Sequence, residues 1–418
     1  MRRKNVLMLC EYGSLNGGER SLLAVTGRLR AAGYELQAAA PAAGPLAAAF
    51  LQQHIPVMPL DLHDAQGRRL ALGLCRQRIS AAIAVAKPDL VHANSLSMSR
   101  LSGPLVAALG VPGVGHLRDI VNVTAAVIAD LNRHTRLLAV SRATRDWYVA
   151  AGLSETKTHV LYNGVDLARF SPRPPSGWLH RELGLPPEAS LIGTIGQLGM
   201  RKGLQVLLAA APIVARAFGH AHFVIVGQRY SQKQEALDYE RQLRAMAAAE
   251  PLRGRVHFLG VREDVDRLLN EFTMLVHAAR QEPLGRVLLE AAAAGTPSIA
   301  TDVGGTSEIF PPETASALLV PPDDVKSLAA AILRLLADAE LRAAIGSAAR
   351  RRAEQAFDAR RAEHVGIGRA LGARRHDDGL PDRGSGGGWR PGGRGRFPRR
   401  HPPPPRLPPP PRLPPPPR

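Results

Sequence analysis

The sequence alternates short apolar runs with Ala- and Leu-rich stretches of helical length, and it does so in two series. A run such as Leu191–Ile195 has the length and composition of a buried strand, and a helix-length stretch follows it. Strands that alternate with helices are typical of a parallel sheet covered by helices. A proline-rich stretch, Ser171–Pro175, separates the two series. The sequence therefore predicts an α/β protein with two doubly wound domains.

The pattern also predicts where the elements and domains lie. In the first series we expect strands near 5–10, 35–40, 89–93 and 136–140, and helices near 18–32, 76–86 and 142–151. In the second series we expect strands near 191–195, 222–226, 255–259, 273–277 and 297–301, and helices near 203–218, 325–336 and 339–356. The predicted organisation is a first domain over 1–172, a linker over 173–189, a second domain over 190–372 and a tail over 373–418.

The charge of the chain is strongly basic, and its distribution matters. The formal net charge is +18, of which the tail contributes +8. The remaining excess suits anionic substrates or an anionic membrane surface. Aromatic residues make up only 4% of the chain, and no basic stripe is interleaved with them. We therefore do not expect a nucleic-acid-binding protein.

The tail has a composition that excludes a packed core. It is rich in Gly and Arg, ends in Pro-Pro-Pro-Pro-Arg-Leu repeats and contains 15 prolines. Such a sequence is predicted to be disordered, with polyproline II as its local conformation. Two interpretations stay open: a tether or ligand for an SH3-like domain, and a sequence read in a shifted frame.

The cysteines and the apolar runs of the sequence indicate in which cellular compartment the protein works. Cys10 and Cys75 form no Cys-x-x-Cys motif and no Cys/His metal spacing. The apolar run Val6–Cys10 is too short for the core of a signal peptide. No run approaches the ~20 apolar residues that span a membrane. We expect a cytoplasmic protein with no resident metal.

The most informative local sequence lies at residues 282–308. Two glutamates, Glu282 and Glu290, stand eight residues apart, and a Pro/Gly turn between them opens an Ala/Leu-rich helix. The first N–H groups of a helix have no partner within it, so they bind anions well. Glu282 would lie before the helix and Glu290 about one turn inside it. This arrangement suits a ligand that is both a phosphate and a polyol, such as a nucleotide sugar.

The same region resembles the signature of a large enzyme family. The glutamate pair is followed by Gly295-Thr296-Pro297 and then by a Gly-Gly-x-x-Glu turn at 304–308. This order resembles the retaining glycosyltransferases of family four, or group 1, which include glycogen and sucrose synthases. The resemblance covers roughly residues 5–370 and is tightest over 190–325. It implies the GT-B fold, with the acceptor on the first Rossmann-like domain and the nucleotide sugar mostly on the second.

The resemblance assigns roles in the second domain. Glu282 would contact hydroxyls of the transferred sugar, and Glu290 would hold the ribose. Backbone N–H groups would face the sugar and phosphate at Leu284, Gly285 and Arg286. Pro283 stands where the family usually has glycine, and it has no N–H to donate.

A basic loop after the strand 191–195 is predicted to hold the diphosphate. Lys202 matches the family lysine that does so. Gln197 stands where the family often has arginine, and Arg201 is placed to compensate. Cations here would stabilise the departing nucleoside diphosphate.

In the first domain, Gly17-Gly18 resembles the family loop that lies under the donor phosphate. His116 is predicted near the reacting sugar, in preference to His92. Arg118 and Asp119 are candidates for acceptor binding.

The expected activity is metal-independent transfer, with retention, from a UDP-, GDP- or ADP-sugar to a glycan or lipid-linked acceptor, without a cofactor. By family expectation, the enzyme works at the inner membrane face. Two alternatives stay open. One is a nucleotide-sugar epimerase on the same fold. The other is a non-catalytic scaffold, which the departures at Gln197 and Pro283 keep open.

Overall fold

The structure is a computed structural model that describes residues 3–359. Strands occupy β1 Lys4–Leu9, β2 Tyr34–Ala40, β3 Val57–Pro59, β4 Leu90–Ala93, β5 Gly113–Leu117, β6 Arg136–Ala139, β7 Thr158–Val160, β8 Ser190–Ile195, β9 Ala221–Val226, β10 Val256–Gly260, β11 Met274–His277, β12 Ser298–Thr301 and β13 Leu318–Val320. Helices occupy α1 Gly17–Ala31, α2 Pro45–Gln52, α3 Leu72–Ala86, α4 Leu96–Leu109, α5 Ala125–Leu131, α6 Arg142–Ala150, α7 Trp178–Leu183, α8 Leu204–Ala217, α9 Gln234–Ala248, α10 Val265–Glu271, α11 Arg286–Ala294, α12 Thr306–Ile309, α13 Val325–Ala337 and α14 Ala339–Ala356.

The strands form two separate parallel sheets, as the alternating pattern predicted. The first sheet has the order β3-β2-β1-β4-β5-β6-β7, and the second has the order β10-β9-β8-β11-β12-β13. Every strand pair in both sheets is parallel. The first and second halves of the chain therefore each build one doubly wound sheet.

The strand order fixes where each half can bind a ligand. In the first sheet β1 lies between β2 and β4, so the chain turns in opposite directions on either side of β1. In the second sheet β8 lies between β9 and β11 in the same way. Ligands of such sheets bind at the carboxyl ends of the strands beside this reversal. A ligand-binding site is thus expected among the residues that follow β1, β4, β8 and β11.

Apolar side chains on both faces explain why the strands read as continuous apolar runs. All four residues of β4 are buried, and so are all four residues of β11. Helices cover both faces, as parallel sheets require. In α13 the buried side chains recur at helical spacing, which packs one face of the helix onto the sheet. None of the described helices is long and apolar enough to cross a membrane.

The structure adds elements that the sequence pattern did not predict. They include the short strands β3, β7 and β13 and the helices α2, α4, α5, α7, α9 and α10. The predicted linker over 173–189 contains α7. The domain boundaries stay a prediction, and residues 360–372 and the predicted tail over 373–418 lie outside the described residues.

The end of the described chain returns to the first half. After α14, Asp358 forms a parallel β-bridge with Val165, and the Val165 N–H donates to the Phe357 carbonyl at 2.8 Å. A Cβ atom at position 164 would lie 2.4 Å from the Cα of Ala359, so Gly164 permits this approach. The two halves are therefore connected both by the segment after β7 and by this return.

A buried glutamate fixes the segment that leads from the first half to the second. Glu271, at the end of α10, is 5% exposed. Its carboxylate accepts hydrogen bonds from the Ser176 N–H and hydroxyl at 2.7 and 2.8 Å and from the Gly177 N–H at 2.9 Å. This single side chain thus anchors the chain just before α7.

We expect Glu271→Ala to lower the free energy of unfolding by about 2–3 kcal/mol, because buried donors lose a charged acceptor. Urea denaturation followed by circular dichroism measures the change. Glu188→Ala, an exposed glutamate of the same connecting region, is the control and should shift the urea midpoint little. Equal effects of the two substitutions would show that Glu271 is not an anchor.

Candidate active site

A buried carboxylate lies at the carboxyl end of the second sheet. Glu282, in the loop between β11 and α11, is 6% exposed. Its Oε2 atom lies 2.5 Å from Lys202 Nζ and 2.8 Å from His277 Nε2. Lys202 comes from the loop after β8, and His277 is the last residue of β11. Two neighbouring strands of the sheet therefore bring these three side chains together.

The charges of this cluster are set by its surroundings. Burial by itself would raise the pKa of Glu282, but the Lys202 charge and the His277 hydrogen bond outweigh it and hold that pKa well below its usual range. Burial lowers the pKa of His277, and the Lys202 charge acts in the same direction. At neutral pH the cluster consists of an ionised carboxylate, a Lys202 ammonium and a neutral imidazole. An ionised carboxylate held this way can still accept hydrogen bonds from a ligand's hydroxyls.

Glycines of the signature position the Glu282 backbone. A Cβ atom at position 304 would lie 2.0 Å from the Glu282 carbonyl oxygen, and Gly304 has a φ of +56°. The N–H of Gly305 donates to the same carbonyl at 3.0 Å. The Gly-Gly turn therefore supports the backbone of the loop that carries Glu282.

The helix that follows Glu282 presents its N-terminus to the same region. Gly285 caps α11 with a φ of +103°, a conformation that favours glycine. Leu284 is buried in the core beneath the turn. The side chains of Arg286 and Glu290 pair across one turn, with 2.8 Å between Nε and Oε1. The first N–H groups of this helix lie where the sequence predicts an anion, and that role stays a prediction.

The loop after β8 supplies the predicted cations. Gln197 and Lys202 line one pocket together with His277, at the carboxyl ends of β8, β9 and β11. Arg201 is more exposed, and its Nη1 lies 4.0 Å from Asp119 Oδ1 of the first half. A Cβ atom at position 203 would lie 1.8 Å from the Ala278 carbonyl oxygen, so only glycine permits the loop to pass this close to β11.

The Gly17-Gly18 turn lies at the facing edge of the first sheet. Gly17 and Gly18 open α1 just after β1. Arg286, from the second half, donates through Nη1 to the Gly17 carbonyl at 3.2 Å. The turn and the start of α11 are therefore in direct contact.

His116 lies deeper than these groups. It is 5% exposed, within β5, and its ring centroid is 5.7 Å from that of His92 on β4. Both rings line a pocket together with Ser21, Arg118 and Asn163. Burial lowers the pKa of His92 to about 3 and that of His116 well below its ordinary value, and the charge of Arg118 acts in the same direction. Both imidazoles are thus neutral at physiological pH.

A second carboxylate of the signature joins the two halves. Glu308, on α12, accepts hydrogen bonds from the N–H groups of Arg142 and Ala143 at 2.8 Å each. These are the first N–H groups of α6, where a negative charge is stabilised by the helix dipole. The Tyr162 hydroxyl also donates to Glu308, at 2.7 Å. This contact holds the second half against the end of the first sheet.

Comparison with known proteins agrees with this geometry. Residues 15–169 match the model of glycosyltransferase family 4, and residues 179–352 match that of the glycosyl transferases group 1. A phosphatidyl-myo-inositol mannosyltransferase of Mycolicibacterium smegmatis is 30% identical over 356 residues, which cover 80% of this chain and 86% of the relative. The chain belongs to the group 1 glycosyltransferases. A GDP-mannose-dependent alpha-mannosyltransferase of Mycobacterium tuberculosis is 28% identical over 73% of this chain and 80% of its own length.

Solved structures identify the fold of this glycosyltransferase. The crystal structure of HepE of Anabaena in complex with UDP and glucose aligns with a TM-score of 0.79 and 25% identity, over 89% of this chain and 100% of that one. A sucrose-phosphate synthase of Thermosynechococcus elongatus aligns with a TM-score of 0.72 and 21% identity, over 85% of this chain and 95% of that one. The predicted GT-B fold is confirmed.

The structure brings most of the predicted site residues of the glycosyltransferase to one cleft. Glu282 and Lys202 pair directly, Gln197 lines the same pocket, and the remaining donor-side residues lie at the start of α11. His116 is set back within β5, and its role stays a prediction. Sequence reasoning missed His277, for which the only signal is a histidine at the end of a predicted strand.

The sequence does contain one Asp-x-Asp pair, Asp264 and Asp266, although no manganese site of this kind is expected. Asp264 is held by Arg262 at 2.8 Å, and Asp266 by Arg169 at 3.2 Å. No group of three or more His, Cys, Asp or Glu side chains within residues 3–359 is arranged to hold a metal ion. The carboxylates of the pair therefore take part in surface ion pairs.

The buried histidines should make the stability of this glycosyltransferase depend on pH. Below pH 6.5 the unfolded chain binds a proton at residue 92, whereas the folded protein does so only near pH 3. The free energy of unfolding is therefore unaffected by the protonation of this histidine above pH 6.5. Below pH 6.5 it falls by about 1.4 kcal/mol per pH unit because of this histidine. We expect His92→Asn to reduce the slope of unfolding free energy between pH 6.5 and 5 by that amount.

Urea unfolding at several pH values measures this slope. Val85→Ala, an exposed change that removes no titratable group, is the control and should leave the slope unaltered. An unchanged slope in His92→Asn would mean that His92 does not lose its proton on folding.

Proposed function

We propose that the enzyme transfers a sugar from a UDP-, GDP- or ADP-sugar to a hydroxyl of a glycan or lipid-linked acceptor, with retention of the anomeric configuration. The observation that carries this proposal is the buried Glu282–Lys202 pair at the N-terminus of α11. It joins a carboxylate for sugar hydroxyls to a cation and N–H groups for phosphate. A nucleotide sugar is a ligand that needs an acceptor for its sugar hydroxyls and positive charge for its diphosphate next to each other.

The comparisons support a nucleotide-sugar donor but differ in the base. HepE was crystallised with UDP and glucose, and the Mycobacterium tuberculosis relative is named as GDP-mannose-dependent. The donor base of this chain is therefore left as uridine, guanosine or adenosine. We place the base and ribose on the second half, with Glu290 as the acceptor of ribose hydroxyl hydrogen bonds.

Transfer by this site would depend on stabilising the departing nucleoside diphosphate. Lys202, Arg201 and the N–H groups at the start of α11 supply positive charge without a metal or other cofactor. Glu282 is held by Lys202 and His277 and is placed to bind hydroxyls of the transferred sugar, so we do not assign it as a nucleophile. We favour transfer on one face of the sugar, in which the leaving phosphate accepts the proton of the incoming hydroxyl. His116 is retained in this proposal as a residue near the reacting sugar.

The acceptor is proposed to bind the first half. The chain outside the predicted tail is basic, which suits an anionic lipid-linked acceptor or membrane surface. The Mycolicibacterium smegmatis relative is named a phosphatidyl-myo-inositol mannosyltransferase. We accordingly propose a cytoplasmic enzyme that works in peripheral contact with the inner membrane face.

Removing the charge of either Glu282 or Lys202 should abolish most of the transferase activity. We expect Glu282→Gln and Lys202→Met each to lower kcat/KM for transfer by at least ~100-fold, because each interaction stabilises the transition state. Transfer is measured as acceptor-dependent release of the nucleoside diphosphate. Glu235→Gln and Lys326→Met, matched changes at exposed positions, should retain wild-type rates.

The product distinguishes this proposal from its alternatives. Nuclear magnetic resonance should show the anomeric configuration of the donor in the product, and EDTA should leave the rate unchanged. An epimerised donor formed without acceptor would indicate an epimerase. Nucleotide binding without turnover on any acceptor would indicate a scaffold.

Nucleotide binding should name the donor class. We expect one of UDP, GDP and ADP to raise the melting temperature of the full chain by several degrees, because a ligand bound only by the folded state stabilises it. Glu290→Gln should reduce that shift, whereas Glu235→Gln should not. The absence of any shift with all three nucleotides would contradict the proposed function.

A further inference from the structure

A partly buried arginine, Arg118, follows β5, and its hydrogen bonds within residues 3–359 go to neutral acceptors. Arg118 donates through Nε to the Asn94 carbonyl at 3.1 Å and through Nη2 to Asn94 Oδ1 at 2.9 Å. Its Nη1 donates to Asn163 Oδ1 at 3.0 Å. All of these acceptors are neutral. They fix the direction of the guanidinium without neutralising its charge.

The groups around Arg118 leave it positively charged. Burial lowers the pKa of Arg118 to about 10, and the positive charge of Arg286 acts in the same direction. The carboxylates of Glu19 and Asp119 oppose this change, and the effect of Glu19 on the pKa is larger than that of Arg286. The guanidinium is therefore protonated at neutral pH. It has a second guanidinium from the other half of the chain as a neighbour.

Beneath Arg118 lie two polar side chains without partners. Both ring nitrogens of His92 and of His116 lack a hydrogen-bond partner among the described residues. The two rings line the same pocket as Arg118 and Asn163. Because both imidazoles are neutral, they add no charge to the pocket. Among the residues that line this pocket, Arg118 is thus the one that carries a charge.

The Gly17-Gly18 turn brings this charge to the start of α1. A Cβ atom at position 18 would lie 3.1 Å from Arg118 Cδ, and one at position 17 would lie 3.9 Å from Arg286 Cδ. The two arginine stems therefore pass over the two glycines from opposite halves. The N-termini of α1 and α11 meet at the same place. Two guanidinium groups and two helix N-termini converge there.

We propose that Arg118 is a further donor-binding residue, whose guanidinium contacts the diphosphate from the side of the first half. This inference rests on the proposed function, since it assigns a contact within the same donor site. An anion bound between the two guanidinium groups would be attracted by both of them. A diphosphate carries enough negative charge to offset both, and the guanidinium fork matches its oxygens.

The position of Arg118 favours a contact with the donor over the predicted contact with the acceptor. One of its charged neighbours is Arg286, which belongs to α11 and pairs with Glu290. Asn94 and Asn163 hold the guanidinium toward Gly18 at the start of α1. The contact would therefore be lost when the terminal phosphate of the diphosphate is absent.

The test compares a nucleoside diphosphate with its monophosphate. For whichever of UDP, GDP and ADP binds wild-type protein best, dissociation constants of the diphosphate and the monophosphate are measured by calorimetry. We expect Arg118→Gln to weaken diphosphate binding by about 10-fold or more and monophosphate binding by less than about 2-fold. Arg118→Lys, which keeps the charge but loses the fork, should give a smaller loss in the same direction. Arg133→Gln, at an exposed position, is the control and should change neither constant.

A second variant retains the Arg118 side chain but shifts its position. Gly18→Ala places a methyl group against the arginine stem and should also weaken the diphosphate selectively, even where Arg118→Gln fails to fold. Equal weakening of both nucleotides in Arg118→Lys and Gly18→Ala would overturn the proposal and indicate a structural role. A higher KM for the acceptor with unchanged nucleotide constants would overturn it in favour of acceptor binding. If wild-type protein binds none of the nucleotides, the proposed function fails and this inference fails with it.

Discussion

The site depends on the ion pair between Glu282 and Lys202, which is buried where the second sheet ends. A buried charge is tolerated only if a partner and further hydrogen bonds compensate for its lost hydration. Lys202 supplies the partner, and His277 supplies the further hydrogen bond. The same requirement explains the glycines around the pair. Gly203 and Gly304 let two loops approach closely enough for the side chains to meet.

A second carboxylate links this cluster to the first half of the chain. Glu308 occupies the N-terminus of α6, and the turn that carries it also supports the Glu282 backbone. The support for the Glu282 loop and the contact between the halves are therefore built on one short segment. Any movement that separates Glu308 from α6 would also move the backbone beneath Glu282. A ligand that moves the Glu282 loop would therefore also act on the contact between the two halves, because the same short segment carries both.

The sequence was enough to predict the two parallel sheets and to single out Glu282 and Lys202 as site residues, but not to predict that these two side chains form an ion pair. Buried parallel strands read as apolar runs, and the Pro/Gly turn after Glu282 indicated the start of α11. Helix α4 was missed because Gly103 and Pro104, which disfavour a helix interior, stand in its middle. Strands β3 and β7 were missed because each has only three residues. His277 and the role of Glu308 could not be predicted, since both depend on contacts between segments distant in sequence.

The return of the chain after α14 has a consequence for motion. The two halves are joined at the segment that follows β7 and again where Asp358 pairs beside Val165. Two domains joined by a single chain segment can rotate relative to each other about any axis. A second connection beside the first restricts the rotation to the axis that passes through the two connections. Opening of the cleft would then change the separation of its two walls while preserving their alignment. Residues that face each other across the cleft, such as Gly17 and Arg286, would return to the same partners after each opening.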